Sequence, residues 1–127
     1  MVISLKPFPA PRPRFSRFGT YNPKNYTEYK KMFLLLAKAS SKEHFKGAIS
    51  LEVVFYMPIP ASLSKKKQSE LIGKHHIKKP DADNLLKTVK DALEGTFYKN
   101  DSQICDIQMK KIYSDKPRTV LHFKEIY

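Results

Sequence analysis

Asp81-Ala82-Asp83-Asn84-Leu85-Leu86-Lys87 sets two carboxylates close together with a lysine one helical turn further on, and Asn100-Asp101 adds another carboxylate downstream. Carboxylates held so close repel one another, and a cation between them relieves the repulsion. Mg²⁺ suits such a place because it takes hard oxygen ligands and keeps several waters. An ion held there activates a water and offsets charge during phosphodiester hydrolysis. A neighbouring ammonium group contacts the phosphate or stabilises the leaving oxygen. Asp81, Asp83 and Asp101 are therefore candidate metal ligands, and Lys87 the candidate catalytic cation.

A plainer reading of the same residues stands beside this one. Asp-x-Asp at a helix start is a common cap, and Asp83 with Lys87 matches an ordinary ion pair one turn apart. The surrounding charge bears on the choice. Lys+Arg number 24 against 12 Asp+Glu, giving a net charge of +12, yet six of the twelve acidic residues fall between Asp81 and Asp106. A basic surface points to a phosphate-rich partner, nucleic acid first and anionic membrane second. Grouped carboxylates within it point to a cation acting on that partner.

The elements that must position these residues follow from pattern. The 127 residues are one domain by size, and 41% hydrophobic content supports a packed core. Val2 to Leu5 alternates weakly and reads as an edge or early strand. Lys6 to Pro23 carries Pro7, Pro9, Pro11, Pro13 and Pro23, which predict an extended loop. Arg12, Arg14 and Arg17 lie in it, interleaved with Phe15, Phe18 and Tyr21, a pattern suited to phosphate contact and stacking or, equally, to pinning the loop on the core. A helix capped by Asn25 or Thr27 is predicted to run to about Ser40, and a strand over Gly47 to Met57 with Ile49, Leu51, Val53 and Phe55 on one face.

Ser62 to Ile72 reads as a short helix stopped at Gly73. Lys65, Lys66 and Lys67, with Lys78 and Lys79 further on, make it part of a second basic patch, or a solvated face. A helix then runs from Asp81 or Asp83 to Glu94 and ends at Gly95, with Leu85, Leu86, Val89, Ala92 and Leu93 toward the core and Asp83, Lys87 and Asp91 away from it. Asn100-Asp101-Ser102 is a turn, Gln103 to Tyr113 a strand, Ser114 to Pro117 a hairpin turn, and Arg118 to Ile126 the return strand. No apolar run is long enough to span a bilayer, and Met1 to Pro7 lacks the regions of a signal peptide. Cys105 is the one cysteine, so no internal disulfide forms, which fits a cytoplasmic protein. His75, His76 and Cys105 show no zinc or nucleophile pattern.

The run Lys79 to Lys87, then Asp91-Ala92-Leu93, then Tyr98-Lys99-Asn100-Asp101-Ser102-Gln103-Ile104, resembles the RusA-like crossover-junction (Holliday junction) endodeoxyribonucleases. Pro11-Arg12-Pro13-Arg14 and Gly19-x-Tyr21-x-Pro23 resemble members from phages and prophages. The resemblance covers nearly the whole chain. It implies a single α+β domain with a small mixed sheet packed with helices, acting as an endonuclease on branched DNA. It also implies Mg²⁺, or Mn²⁺ in its place, held by Asp81, Asp83 and Asp101, an essential Lys87, and a homodimer that nicks four-way junctions in recombination and repair. Asn84 and Asp91 match recurrent family positions, and Asp91 fits a structural role as well. One departure is Asn100, where the best-known member has a second aspartate. The rival reading is a nucleic-acid-binding protein without catalysis, its acidic helix end purely structural.

Overall fold

The computed structural model describes residues 1–11, 14–16, 19–21 and 24–127, with backbone alone for 14–16 and 19–21. It is an α+β domain built on a four-stranded mixed sheet in the order β1 (Val2–Ile3), β6 (Arg118–Glu125), β4 (Ile49–Pro58), β5 (Ile104–Ser114). The central strand β4 (Ile49–Pro58) alternates as the sequence requires: Ile49, Leu51, Val53, Phe55 and Met57 are buried, and the residues between them are not. α1 (Lys24–Ser40) and α3 (Ala82–Leu93) pack on one another, and their buried residues, with the inner face of the sheet, form one core. Among the described residues, no helix is long and apolar enough to cross a membrane.

The sheet corrects one expectation. β5 (Ile104–Ser114) and β6 (Arg118–Glu125) are not hairpin partners. β5 pairs parallel with β4 on one side, and β6 pairs antiparallel with β4 on the other. The chain leaves β4, passes through α3 and returns as β5, so a helix crossover delivers β5 parallel. Ser114 to Pro117 then carries the chain past the end of β4. β6 fits that place because Thr119, Leu121 and Phe123 are buried there. β1 (Val2–Ile3) closes the far edge against Thr119 and Val120.

The proline-rich start is also more ordered than expected. β2 (Arg14–Ser16) pairs antiparallel with β3 (Gly19–Tyr21). The prolines stop at Pro13 and resume at Pro23, so every backbone donor between them is available. Arg12, Arg17 and Phe18 lie outside the described residues, and Arg14 is described by its backbone alone. Smaller shifts concern ends. α1 begins at Lys24, before both proposed caps. The short lysine-bearing helix α2 is Lys65–Leu71, capped by Ser64, whose hydroxyl accepts from Lys67 N–H. Gly73 follows it at φ +85°. Gly47 lies just before β4 because the chain end crosses there: a Cβ on it would collide with the Tyr127 carbonyl.

Segment Gly73–His76 lies along the outer side of β5, with Gly73 N–H donating to Tyr113 O at 2.9 Å and His76 N–H to Lys111 O at 2.8 Å. The His76 ring packs on Tyr113 at 4.8 Å. Burial, then the neighbouring Lys111 ammonium, holds its pKa below the ordinary 6.5. The unfolded chain therefore takes up a proton near pH 6.5 that the folded chain refuses, and stability falls as pH drops below that value. We expect the melting temperature to decline more steeply between pH 7.5 and 5.5 in the wild type than in His76→Phe. Parallel curves would show that His76 does not set this slope.

Candidate active site

α3 is placed by its inner face. Leu85, Val89 and Leu93 are almost fully buried, each contributing about 1.5–3 kcal/mol by leaving water. Thr88 is buried as well, its hydroxyl donating to Asn84 O at 3.3 Å, which apolar patterning had passed over, while Leu86 is only half-buried. The opposite face presents Asp83, Lys87 and Asp91. With Asn84, Leu86, Lys90 and Asp101 they line a cleft of about 370 Å³. A larger apolar groove of about 960 Å³ borders Lys79 and Pro80, and no carboxylate lines it.

Asp101 reaches this cleft on a 3-10 turn (Asp101–Gln103) that two side chains hold in shape. Asn100 Oδ1 accepts from Ser102 N–H at 2.9 Å. Gln103 Oε1 accepts from Asn100 N–H at 2.9 Å, while its amide donates to Phe45 O and Gly47 O, both at 3.1 Å. Gln103 thus ties the acidic turn to the chain entering β4. The signal was in the sequence, since Asn-x-x-Gln is a capping-box pattern. Capping is a task an asparagine side chain performs, so Asn100 keeps the turn where a second aspartate had been expected.

Among the described residues, one oxygen from each of Asp91, Glu94 and Asp101 lies within 4.8 Å of the others. Asp101 is therefore brought against the C-terminal half of α3, and Glu94 joins the carboxylates although sequence reasoning gave it no role. Asp83 shares the cleft with Asp101. Asp81 sits at the N-cap of α3, where its carboxylate makes no capping hydrogen bond. It stands roughly 15 Å along the axis from Asp91, at about 1.5 Å per residue. Asp81 and Asp83 are both exposed.

Asp91 is already engaged. Its Oδ2 accepts from Lys87 Nζ at 2.8 Å and from Tyr26 Oη at 3.0 Å. Tyr26 is buried, and burial followed by the Asp91 hydrogen bond holds its phenol neutral, far above the usual tyrosine range. Tyr98 donates to Lys90 O at 2.7 Å. Its phenol is likewise pushed up, by burial first and then by the charges of Asp101, Glu94 and Asp91. Neither aromatic partner was singled out from sequence, because each lies far along the chain or beneath the cleft. Glu94 and Asp101 have no cationic partner among the described residues. Their hard oxygens are the donor type a divalent cation such as Mg²⁺ takes.

Lys78 and Lys79 are exposed, and their segment is pinned by Lys111, whose Nζ donates to Lys78 O at 2.8 Å and to Pro80 O at 2.7 Å. Lys111, also not singled out from sequence, thereby fixes the approach to Asp81. Lys65, Lys66 and Lys67 are exposed on the first turn of α2.

The family model described as Endodeoxyribonuclease RusA matches residues 4–124. A Bacillus subtilis (strain 168) protein named "Uncharacterized protein YqaN" is 36% identical over 106 residues, spanning 79% of this chain and 75% of that protein.

The Gln103 anchor gives a direct test of how the turn is held. Gln103→Leu removes hydrogen bonds worth about 1 kcal/mol each and leaves the Phe45 and Gly47 carbonyls unpaired. We expect a loss of roughly 2 kcal/mol in urea unfolding with an unchanged slope. Gln103→Glu keeps the acceptor without the donors and should lose a comparable amount. A change below about 0.5 kcal/mol in both would remove Gln103 as the anchor.

Proposed function

This chain belongs to the RusA endodeoxyribonuclease family, and from that membership we propose that it is a divalent-metal-dependent endonuclease that resolves four-way DNA junctions by paired nicks. The observation that carries the reading is the arrival of Asp101 at the α3 face that bears Asp83, Lys87 and Asp91. Mg²⁺, or Mn²⁺ in its place, suits an all-oxygen donor set. In this reading Asp83 and Asp101, which share the cleft, would hold the ion with Glu94 close enough to Asp101 to assist, while Asp81, a ligand by the family resemblance, stands at the helix N-cap outside that lining. When bound, such an ion supplies an activated water and offsets negative charge on the reacting phosphate.

The protein's own residues do the rest. Asp91 holds the Lys87 ammonium at the cleft. An exposed pair of this kind is worth under about 1 kcal/mol, so an arriving phosphate draws Lys87 away at little cost. Lys87 then stabilises charge that develops on the leaving oxygen, an interaction stronger in the transition state than before it. Tyr26 keeps Asp91 oriented when the lysine leaves. Arg12, Arg14 and Arg17 on the proline-flanked segment, and Lys65, Lys66, Lys67, Lys78 and Lys79 around α2 and the approach to α3, hold the DNA backbone. Two copies of the chain together supply the two nicks.

We expect Asp83→Asn to abolish Mg²⁺-dependent nicking of a synthetic four-way junction while binding in gel shift stays equal or tightens, because a charge repelling phosphate is gone. Glu94→Gln tested alongside separates the carboxylate sets. If it is inactive while Asp83→Asn cuts normally, the ion belongs with Asp91, Glu94 and Asp101 instead.

Lys87→Ala should lower the single-turnover cleavage rate by about 100-fold or more and change affinity little. A rate unchanged at saturating protein would return Lys87 to the role of an ordinary surface ion pair with Asp91.

A further inference from the structure

β5 is an edge strand whose outer side is only partly covered. From Lys111 onward, segment Gly73–His76 pairs with it, and Tyr113 N–H also donates to Lys74 O at 2.9 Å. At the other end the register with β4 slips between Ile49 and Ser50, leaving Cys105 opposite no β4 residue. Between these limits, Asp106 to Lys110 has no main-chain partner on its outer side among the described residues. Lys111 and Tyr113 direct main-chain groups outward, so the period of two directs those of Ile107 and Met109 outward as well. Such an edge is a template for another strand, and this stretch carries no proline to blunt it.

We propose that this edge pairs antiparallel with the same edge of a second copy, about a two-fold axis at Gln108, so that two sheets become one. The proposal deepens the homodimer named above by assigning its surface, and it rests on the edge geometry rather than on the nuclease reading. The register follows from the limits. The open stretch is centred on Gln108, with the irregularity at Cys105 before it and the covered Lys111 after it. Pairing there sets Asp106 against the partner's Lys110 and Ile107 against the partner's Met109. A two-fold axis at Ile107 or Met109 would match no opposite charges. Among the described residues Asp106 and Lys110 make no ion pair within their own chain, and opposite charges directly across strands favour pairing.

The two faces agree with this arrangement. Ile107 aligns with Leu51, and Met109 with Val53, on the side that carries the helices. Ile107 is 37% exposed there, and the partner's Met109 covers it. Asp106, Gln108 and Lys110 share the other face, where the charges meet at a wet rim. A strand pair this short lies at the small end of specific interfaces, so the association is weak and concentration-dependent.

Sedimentation of the whole chain over a roughly micromolar to hundred-micromolar range tests it. The wild type should shift from monomer to dimer. Asp106→Lys should weaken the dimer about tenfold, and Asp106→Lys combined with Lys110→Asp should restore it. In a Cys105→Ser background, Gln108→Cys should cross-link to itself under mild oxidation much faster than Asp106→Cys, because paired residues on the axis approach within disulfide range. A wild type that stays monomeric at every concentration overturns both the homodimer and this edge. A dimer that ignores the charge reversals and does not cross-link at position 108 keeps the homodimer but overturns the edge. Nuclease activity enters none of these readouts.

Discussion

The Gln103 carboxamide joins three backbone groups that no regular element connects: it accepts from Asn100 and donates to Phe45 and Gly47. Without it, the turn carrying Asp101 would be held by Asn100's short-range cap and by Ile104, where β5 begins. That matters because the turn is pushed away from its place. Asp91 and Glu94 stand within 4.8 Å of an Asp101 oxygen, and like charges at that spacing repel. Neutral hydrogen bonds from a half-buried side chain oppose the repulsion at every pH, and they do not depend on the ion that would relieve it. The polypeptide holds the carboxylates together before any cation arrives, which is the preorganisation that electrostatic catalysis requires.

The charge distribution around the cleft then acquires a physical sense. A chain of net charge +12 attracts DNA over a range set by a Debye length of about 8 Å at physiological salt. The same field would draw phosphate onto any lysine. Three carboxylates in one place make the cleft locally repulsive to bare phosphate, and in the proposed reading a bound divalent ion would reverse that sign only there. Attraction by the general surface and admission at the cleft are thus separate events. In the proposed reading the exposed lysines of α2 serve the first. Lys87, held by Asp91 at 2.8 Å, serves the second in that same reading. Tyr98 beneath the cleft stays neutral because burial and three carboxylates both oppose its ionisation, so it adds no further negative charge.

Much of this was legible in the residues, and the gaps have identifiable causes. α3 and the buried face of β4 came from periodicity, because burial of Leu85, Val89 and Leu93, or of alternate β4 residues, enforces one period. Asp83, Lys87 and Asp101 line one cleft, but Asp81, grouped with them from spacing, does not, because the acidic turn packs against the C-terminal half of α3 rather than its start. The pairing of β5 with β4 was not legible: a turn signal at Ser114 to Pro117 marks a reversal of direction but not which strand lies beside the next. Asp91's engagement was missed because Tyr26 lies 65 residues away in sequence. Glu94 was passed over because its backbone caps the helix end, donating to Lys90 O at 3.1 Å, and that local duty hides where its side chain leads. Thr88 was missed because a hydroxyl bonded to its own helix is as easily buried as an alkyl group.

One strand sets both ends of the motif helix. β5 starts directly after the acidic turn, fixing Asp101 against Asp91 and Glu94. Seven residues into it, Lys111 reaches out to hold the carbonyls of Lys78 and Pro80, and so the entry to Asp81. Further on, Tyr113 exchanges hydrogen bonds with Gly73 and Lys74, the end of the lysine-bearing segment. A slip of β5 against β4 by one residue would turn Ile104, Met109 and Tyr113 out of the core, and by two it would carry Asp101 and Lys111 away from their places together. The register is therefore fixed by burial at Ile104 and Tyr113, both under a tenth exposed, and through it the core determines the spacing between the carboxylates at either end of α3. The geometry of the cleft is in this sense a consequence of sheet packing, which is why surface residues that could do chemistry sit on elements whose opposite faces leave them so little freedom to move.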